Sequence, residues 1–194
     1  MQAGFALAHP IFIIVAAGTL VCVFLRGATH KFFDFTWFSH ILAEYRILPG
    51  AIAVPAAALL TVLEVAVAFG LVVPQTRPVA AFAAAALLLI YVAAMAANLL
   101  RGRTRIDCGC GGAGQGISWL LVARNVALTG LALIAAQNAA PIDFGAFGWL
   151  VAGAGIASFW LLIIGLEKLA ENLSYLAAAD DNAHDHQHHH LETH

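Results

Sequence analysis

Long apolar runs separated by short polar breaks set the pattern of this chain. The runs lie at residues 10–25, 49–73, 79–100, 117–136 and 147–166. Each is rich in alanine and leucine and lacks the polar–apolar alternation of a porin-type strand. Backbone buried in hydrocarbon must satisfy its own hydrogen bonds, and a helix does so within one segment. Their lengths lie near the roughly 20 residues that a bilayer-spanning helix needs. The pattern predicts an all-α integral membrane protein, a four-helix transmembrane bundle plus a fifth transmembrane helix, in a single domain over residues 1–179. Pro10 suits a helix start. Residues 74–78 read as a tight turn and residues 137–145 as a polar break.

Between the first two runs the pattern changes. Residues 27–48 mix Phe32, Phe33, Phe35, Trp37, Phe38 and Tyr45 with His30, Lys31, Asp34, His40, Glu44 and Arg46. Aromatics beside charges favour the membrane–water interface, so an amphipathic interfacial segment is expected after the first helix. Residues 180–194 read as a disordered histidine-rich tail. Met1 to His9 contains no Lys or Arg and does not read as a signal peptide, whose n-region is basic.

Composition sharpens this picture. The chain is 62% hydrophobic and only 10% charged, against about 25% charged for a soluble domain. The net charge of −2 says less than the positions of the charges. No basic stripe interleaved with aromatics points to a nucleic-acid partner; lipid is the expected surroundings. Arg26, Lys31, Arg46, Arg101, Arg103, Arg105 and Lys168 fall on one predicted face and only Arg77 on the other. By the positive-inside rule the first face is cytoplasmic.

The main candidate chemistry lies in residues 101–116. Cys108 and Cys110 stand either side of Gly109, behind Arg101, Arg103 and Arg105 and ahead of Gly111, Gly112, Gly114 and Gly116. So many glycines exclude a helix. Turning at Gly109 brings the two thiols within reach of a small disulfide. A strained, exposed disulfide suits exchange better than bracing. Arg105 and its neighbours favour the thiolate, while Asp107 opposes them. Two other readings stand beside this one. Cys-Gly-Cys also offers half of a soft metal site, and the cysteines could be incidental. Cys22, predicted one turn beneath this face, is a third thiol in the neighbourhood or a small buried hydrophobe.

Three polar residues lie where a bilayer penalises them. Glu64 sits near the middle of the second run, and Arg124 and Asn125 lie inside the fourth. Ionisable groups at such depth are functional candidates. Depths at about 1.5 Å per residue put Glu64 and Arg124 within one arginine length. A Glu64–Arg124 pair is therefore expected, the alternative being a snorkelling arginine. His184, His186, His188, His189 and His190 among Asp180, Asp181 and Asp185 offer a weak divalent-metal site.

Taken in order, these residues resemble a known family. Lys31-Phe-Phe-Asp34, Tyr45-Arg-Ile-Leu-Pro49, a span with Pro55 and Glu64, and Asn98-Leu-Leu-Arg-Gly102 leading into Asp107-Cys-Gly-Cys-Gly111 look like the methylamine utilisation protein MauE family, related to DoxX-like membrane proteins. The likeness covers roughly residues 11–129. It departs at Gly112, where an aromatic is usual, and in the histidine tail. The resemblance implies a bacterial inner-membrane protein acting beside a thioredoxin-like partner. Its role would be maturing a disulfide-rich periplasmic client, the methylamine dehydrogenase light subunit. It also implies periplasmic cysteines, against the charge rule. The span arrangement is similar to DsbB and vitamin K epoxide reductase, which implies a quinone as electron acceptor. The function expected is that of a thiol–disulfide oxidoreductase. The alternatives are metal handling through the Cys-Gly-Cys loop and histidine tail, and a non-catalytic maturation scaffold.

Overall fold

The computed structural model describes residues 9–47, 49–103, 106–107, 116–138 and 145–191; in the last helix, side chains are described through Leu169 and at Asn172. The described residues form six α-helices: α1 (Pro10–Phe33), α2 (Phe35–Glu44), α3 (Ala53–Val72), α4 (Arg77–Leu100), α5 (Trp119–Ala135) and α6 (Gly145–Leu191). A 3-10 turn, Gly50–Ile52, leads into α3. Among the described residues four apolar helical stretches are long enough to cross a membrane: Pro10–Phe33, Gly50–Val72, Arg77–Leu100 and Gly145–Leu169. At 17 residues, α5 sits at the lower limit of that length.

The first helix runs eight residues past the boundary expected at Leu25. It absorbs Arg26 and Lys31, because both charges find buried partners and so do not force an exit to water. The expected interfacial segment is reduced to α2. Asp34 forms the corner: its N–H donates to the His30 carbonyl at the end of α1, and its carboxylate accepts from the Trp37 N–H at the start of α2. At the other end of the chain α6 continues to Leu191, through residues expected to form a tail without regular structure.

Helices α1 and α4 each pack on both α3 and α5. Thus α3 and α5 occupy opposite corners of a four-helix bundle, and α6 lies outside against α1. Contacts fix the directions. Gly155 meets Val15 and Gly18 meets Ile156, while Arg26 meets Glu167, so α1 and α6 run parallel. Gly70 meets Ala80 and Glu64 meets Tyr91, so α3 and α4 run antiparallel. Such close crossings on small residues are how helices pack where lipid replaces water. The core is mainly Leu and Ala: Leu20, Leu71, Ala81, Ala84, Leu88 and Ala132 are almost fully buried.

One end of the bundle gathers the ends of α1 and α4 with the starts of α3 and α5. There α4 stops in a Schellman turn. The Gly102 N–H donates to Leu99 and the Arg103 N–H to Asn98, with Gly102 at φ +74°, a conformation natural to glycine. Replacing Gly102 with alanine should therefore cost about 1 kcal/mol. The check is a lowered melting temperature in detergent, with no change for the control Gly50→Ala, whose φ is not left-handed and whose added methyl meets nothing within 4 Å.

Candidate functional site

Five charges from four helices meet inside this bundle. Lys31 and Arg26 stand five positions apart on α1, which turns them by about 140° around the helix axis. Lys31 therefore reaches α3 while Arg26 reaches α6. The Lys31 ammonium donates to Glu64 Oε1, and the two side chains are only 2% and 3% exposed. Tyr91 on α4 donates its hydroxyl to the same oxygen at 2.6 Å. On the other side of α1, Glu167 takes two arginines: Arg26 through Oε2 and Arg124 through Oε1 at 2.6 Å. Trp160 adds a ring 5.8 Å from the Arg26 guanidinium.

The expected Glu64–Arg124 pair does not form. Diagonal helices separate the two residues, and each has a nearer opposite charge. Both still line one small cavity of about 20 Å³, with Arg26, Lys31, Tyr91 and Asn125. Glu64 Oε2 and Arg124 Nε are buried there without a hydrogen-bond partner. One is an acceptor and the other a donor, and the volume is that of a single water site. Gly27 packs against this carboxylate: a Cβ there would meet Glu64 Oε2 at 3.5 Å, an ordinary van der Waals distance. Asn125, also buried, turns its amide back to the Leu121 carbonyl at 2.9 Å.

The other expected site residues separate into three groups. Asp34 is a helix cap. Cys22 is a free, half-buried thiol; because α1 extends to Phe33, it lies about 16 Å from that helix end, deeper than one turn. Asp107 pairs with Gly116 in an antiparallel bridge, and the Ile117 N–H donates to the Ile106 carbonyl at 2.9 Å. Cys108 and Cys110, together with Arg105, lie outside the described residues, as do the side chains of His184, His186, His188, His189 and His190. Among the described residues no three His, Cys, Asp or Glu side chains are placed to share a metal ion.

Sequence reasoning missed Arg26, Tyr91 and Glu167 as site residues. Glu167 looked like a helix-end charge, and Arg26 like a loop cation. Tyr91 was the readable signal, since its hydroxyl is the one strongly polar group in the apolar run from Val79 to Ala97 other than backbone.

The stem of the cysteine segment rests on a second apolar cluster. Ile106 and Ile117 pack with Ile41 of α2, Tyr45 at its C-cap, Met95 of α4, and Leu121 and Val122 of α5. Ile41, Tyr45 and Met95 also line an apolar pocket of about 260 Å³ between α2, α3 and α4, whose inner end is Lys31 and Tyr91.

A buried pair left with one member costs about 3–5 kcal/mol, whereas replacing both with apolar residues can be near neutral. Lys31→Met alone should thus destabilise strongly, and Lys31→Met with Glu64→Leu should recover most of the loss. Glu167→Gln should be worse than Arg26→Met, because it strands two arginines. Thermal unfolding in one detergent measures all four; simple additivity of Lys31 and Glu64 would mean that the pair is not coupled.

The family described as methylamine utilisation protein MauE matches residues 9–137, which take in α1 to α5. The chain is 38% identical over 172 residues to the methylamine utilization protein MauE of Methylorubrum extorquens, covering 84% of this chain and 90% of that one. It is 47% identical over 121 residues to its counterpart in Paracoccus denitrificans, covering 61% of this chain and 65% of that one. The latter match thus spans slightly less than two thirds of that relative. No solved structure matches. With a family match over most of its length and apolar helices of membrane-crossing length, the chain is an integral membrane protein that belongs to the MauE family.

Proposed function

We propose that this protein is an accessory factor of methylamine utilisation. In this reading it works in the bacterial inner membrane as a thiol–disulfide oxidoreductase through Cys108 and Cys110. Its client is a disulfide-rich subunit of the methylamine dehydrogenase system, reached through a thioredoxin-like partner. A Cys108–Cys110 disulfide accepts two electrons and two protons from a partner dithiol: the Cys108–Cys110 bond breaks and the partner's S–S bond forms. A quinone, when bound, supplies a two-electron, two-proton acceptor dissolved in the bilayer.

The observation that carries the reading is the anchored neck of the cysteine segment. The Asp107–Gly116 bridge and the Ile117–Ile106 hydrogen bond close it, and Ile106 and Ile117 fasten it to α2, α4 and α5. Fixing both ends of an eight-residue stretch (residues 108–115) reduces the entropy lost when its two thiols meet. Arg101 and Arg103 precede the neck closely in sequence, and cations near a thiol favour its thiolate form.

Thiol counting tests the chemistry. Mild oxidant should consume two thiols reversibly, and Cys108→Ser or Cys110→Ser should abolish the loss while Cys22→Ser leaves it intact. Two thiols that stay free, with stoichiometric zinc or copper in the purified protein, would instead favour metal handling. Compartment is a separate test. Disulfide formation requires the cysteine face to be periplasmic, although Arg46, Arg101, Arg103 and Lys168 on that face weigh towards the cytoplasm. In a background without native cysteines, Arg103→Cys should label with an impermeant periplasmic reagent and Gln75→Cys should not. The reverse result overturns the oxidative direction and leaves a reductive thiol role.

A further inference from the structure

We propose that the pocket between α2, α3 and α4 holds one acyl chain of a phospholipid with an anionic head group, and that Arg46 receives the phosphate. Binding of this kind does not depend on the thiol chemistry proposed above.

The lining excludes a polar occupant. Phe38, Ile41, Leu59, Ile90 and Met95 present carbon to a space of about 260 Å³. Lys31 and Tyr91 close the inner end, but the ammonium and the hydroxyl both turn to Glu64. A polar head placed inside would lose its water without gaining partners, whereas a hydrocarbon chain has none to lose. A cavity of about 150 Å³ accepts benzene, so by the same ratio this one, at about 260 Å³, accepts roughly ten carbons of a chain.

Access suits the same occupant. Leu59 and Ile90 are 59% and 55% exposed. Both lie within spans of membrane-crossing length, so the mouth opens sideways onto the acyl region of the bilayer. At about 1.5 Å per residue, Met95 lies about 8 Å and Ile90 about 15 Å from the end of α4. The pocket therefore runs inward from the end of the bundle where α2 lies. A chain that fills it leaves its head group level with α2.

Arg46 stands at that level. Its neighbours Tyr45 and Ile47 both line the pocket. Tyr45 is the C-cap of α2, and Arg46 follows it with φ +48°, its N–H donating to the Ala43 carbonyl at 3.1 Å. Glycine is the usual residue at this helix-ending position. A larger side chain held in left-handed backbone is strained, and such strain gathers at sites that clamp ligands. Arg46 is exposed, and among the described residues its guanidinium pairs with no carboxylate. Glu44, two positions earlier, is exposed as well and is not its partner. An unpaired guanidinium beside an apolar slot matches a phosphate beside an acyl chain.

The chain would also back the cysteine segment. Ile41, Tyr45 and Met95 form one wall of the pocket and support Ile106 and Ile117 at the neck.

Native mass spectrometry of the purified full chain tests this, with phosphatidylglycerol or phosphatidylcholine of identical chains added in detergent. One phosphatidylglycerol should stay bound per chain, held about fivefold more tightly than phosphatidylcholine, the worth of one cation near an anionic lipid. Arg46→Gly relieves the left-handed backbone, so α2 stays folded; it should abolish that preference and leave phosphatidylcholine binding unchanged. Ala56→Phe fills the pocket and displaces two or more methylenes, so it should weaken both lipids about tenfold. Ala94→Phe fills it from α4 and serves if Ala56→Phe does not fold. Arg77→Gln, at the opposite end of α4, should change nothing. Equal retention of the two lipids by the wild-type chain overturns the proposal, as does a preference that survives Arg46→Gly. Retention that a folded pocket-filling variant leaves unchanged overturns it too, and so does a quinone held in the lipid's place.

Discussion

A charge buried among hydrocarbon side chains must meet its opposite, and the bundle is arranged around two such meetings on either side of α1. Leaving one partner uncompensated costs several kcal/mol, comparable to the whole stability of many folds. Lys31 with Glu64 ties α1 to α3, and Tyr91 adds α4 to the same carboxylate. Glu167 with Arg26 and Arg124 ties α6 to α1 and α5. The rest of the interior is mainly alanine and leucine, which pack closely but specify register weakly. Polar contacts therefore fix how the helices slide and rotate, the kind of role in which buried polar groups are best attested.

This arrangement changes what the charges mean. Arg26 and Lys31 look like loop cations when only the order of residues is considered, and they weigh in any count of positive residues per face. Inside the bundle they are neutralised structural elements. Glu64 and Arg124 look like each other's partner by depth alone. Their helices sit at opposite corners, and the nearer opposite charges win. Only the small cavity between Glu64 and Arg124 preserves a link between the two groups.

The same polar layer connects anchoring to chemistry. Lys31 belongs both to the ion-pair layer and to the apolar pocket. The pocket's wall in turn supports the neck of the cysteine segment. One residue thus belongs both to the layer that holds the helices together and to the lining of the apolar pocket. A fold that hides such a charge in lipid retains donors that an apolar core would lack.

Much of this was legible in the residue order. Unbroken apolar runs required helices, because hydrocarbon leaves the backbone no other partner. Glycines around Cys108 and Cys110 required a break, and Glu64, Arg124 and Asn125 announced a polar interior. The family likeness was carried by the Asp107-Cys-Gly-Cys-Gly111 run. The end of α1 could not be read, because a lysine at position 31 stops or continues a membrane helix according to whether a carboxylate waits for it. That carboxylate lies 33 residues away. The role of Glu167 depended on an arginine 141 positions distant. Helical periodicity tells which residues share a face, but not which helix will lie against it. Only the packing of α1 between α3, α5 and α6 decided which charge met which.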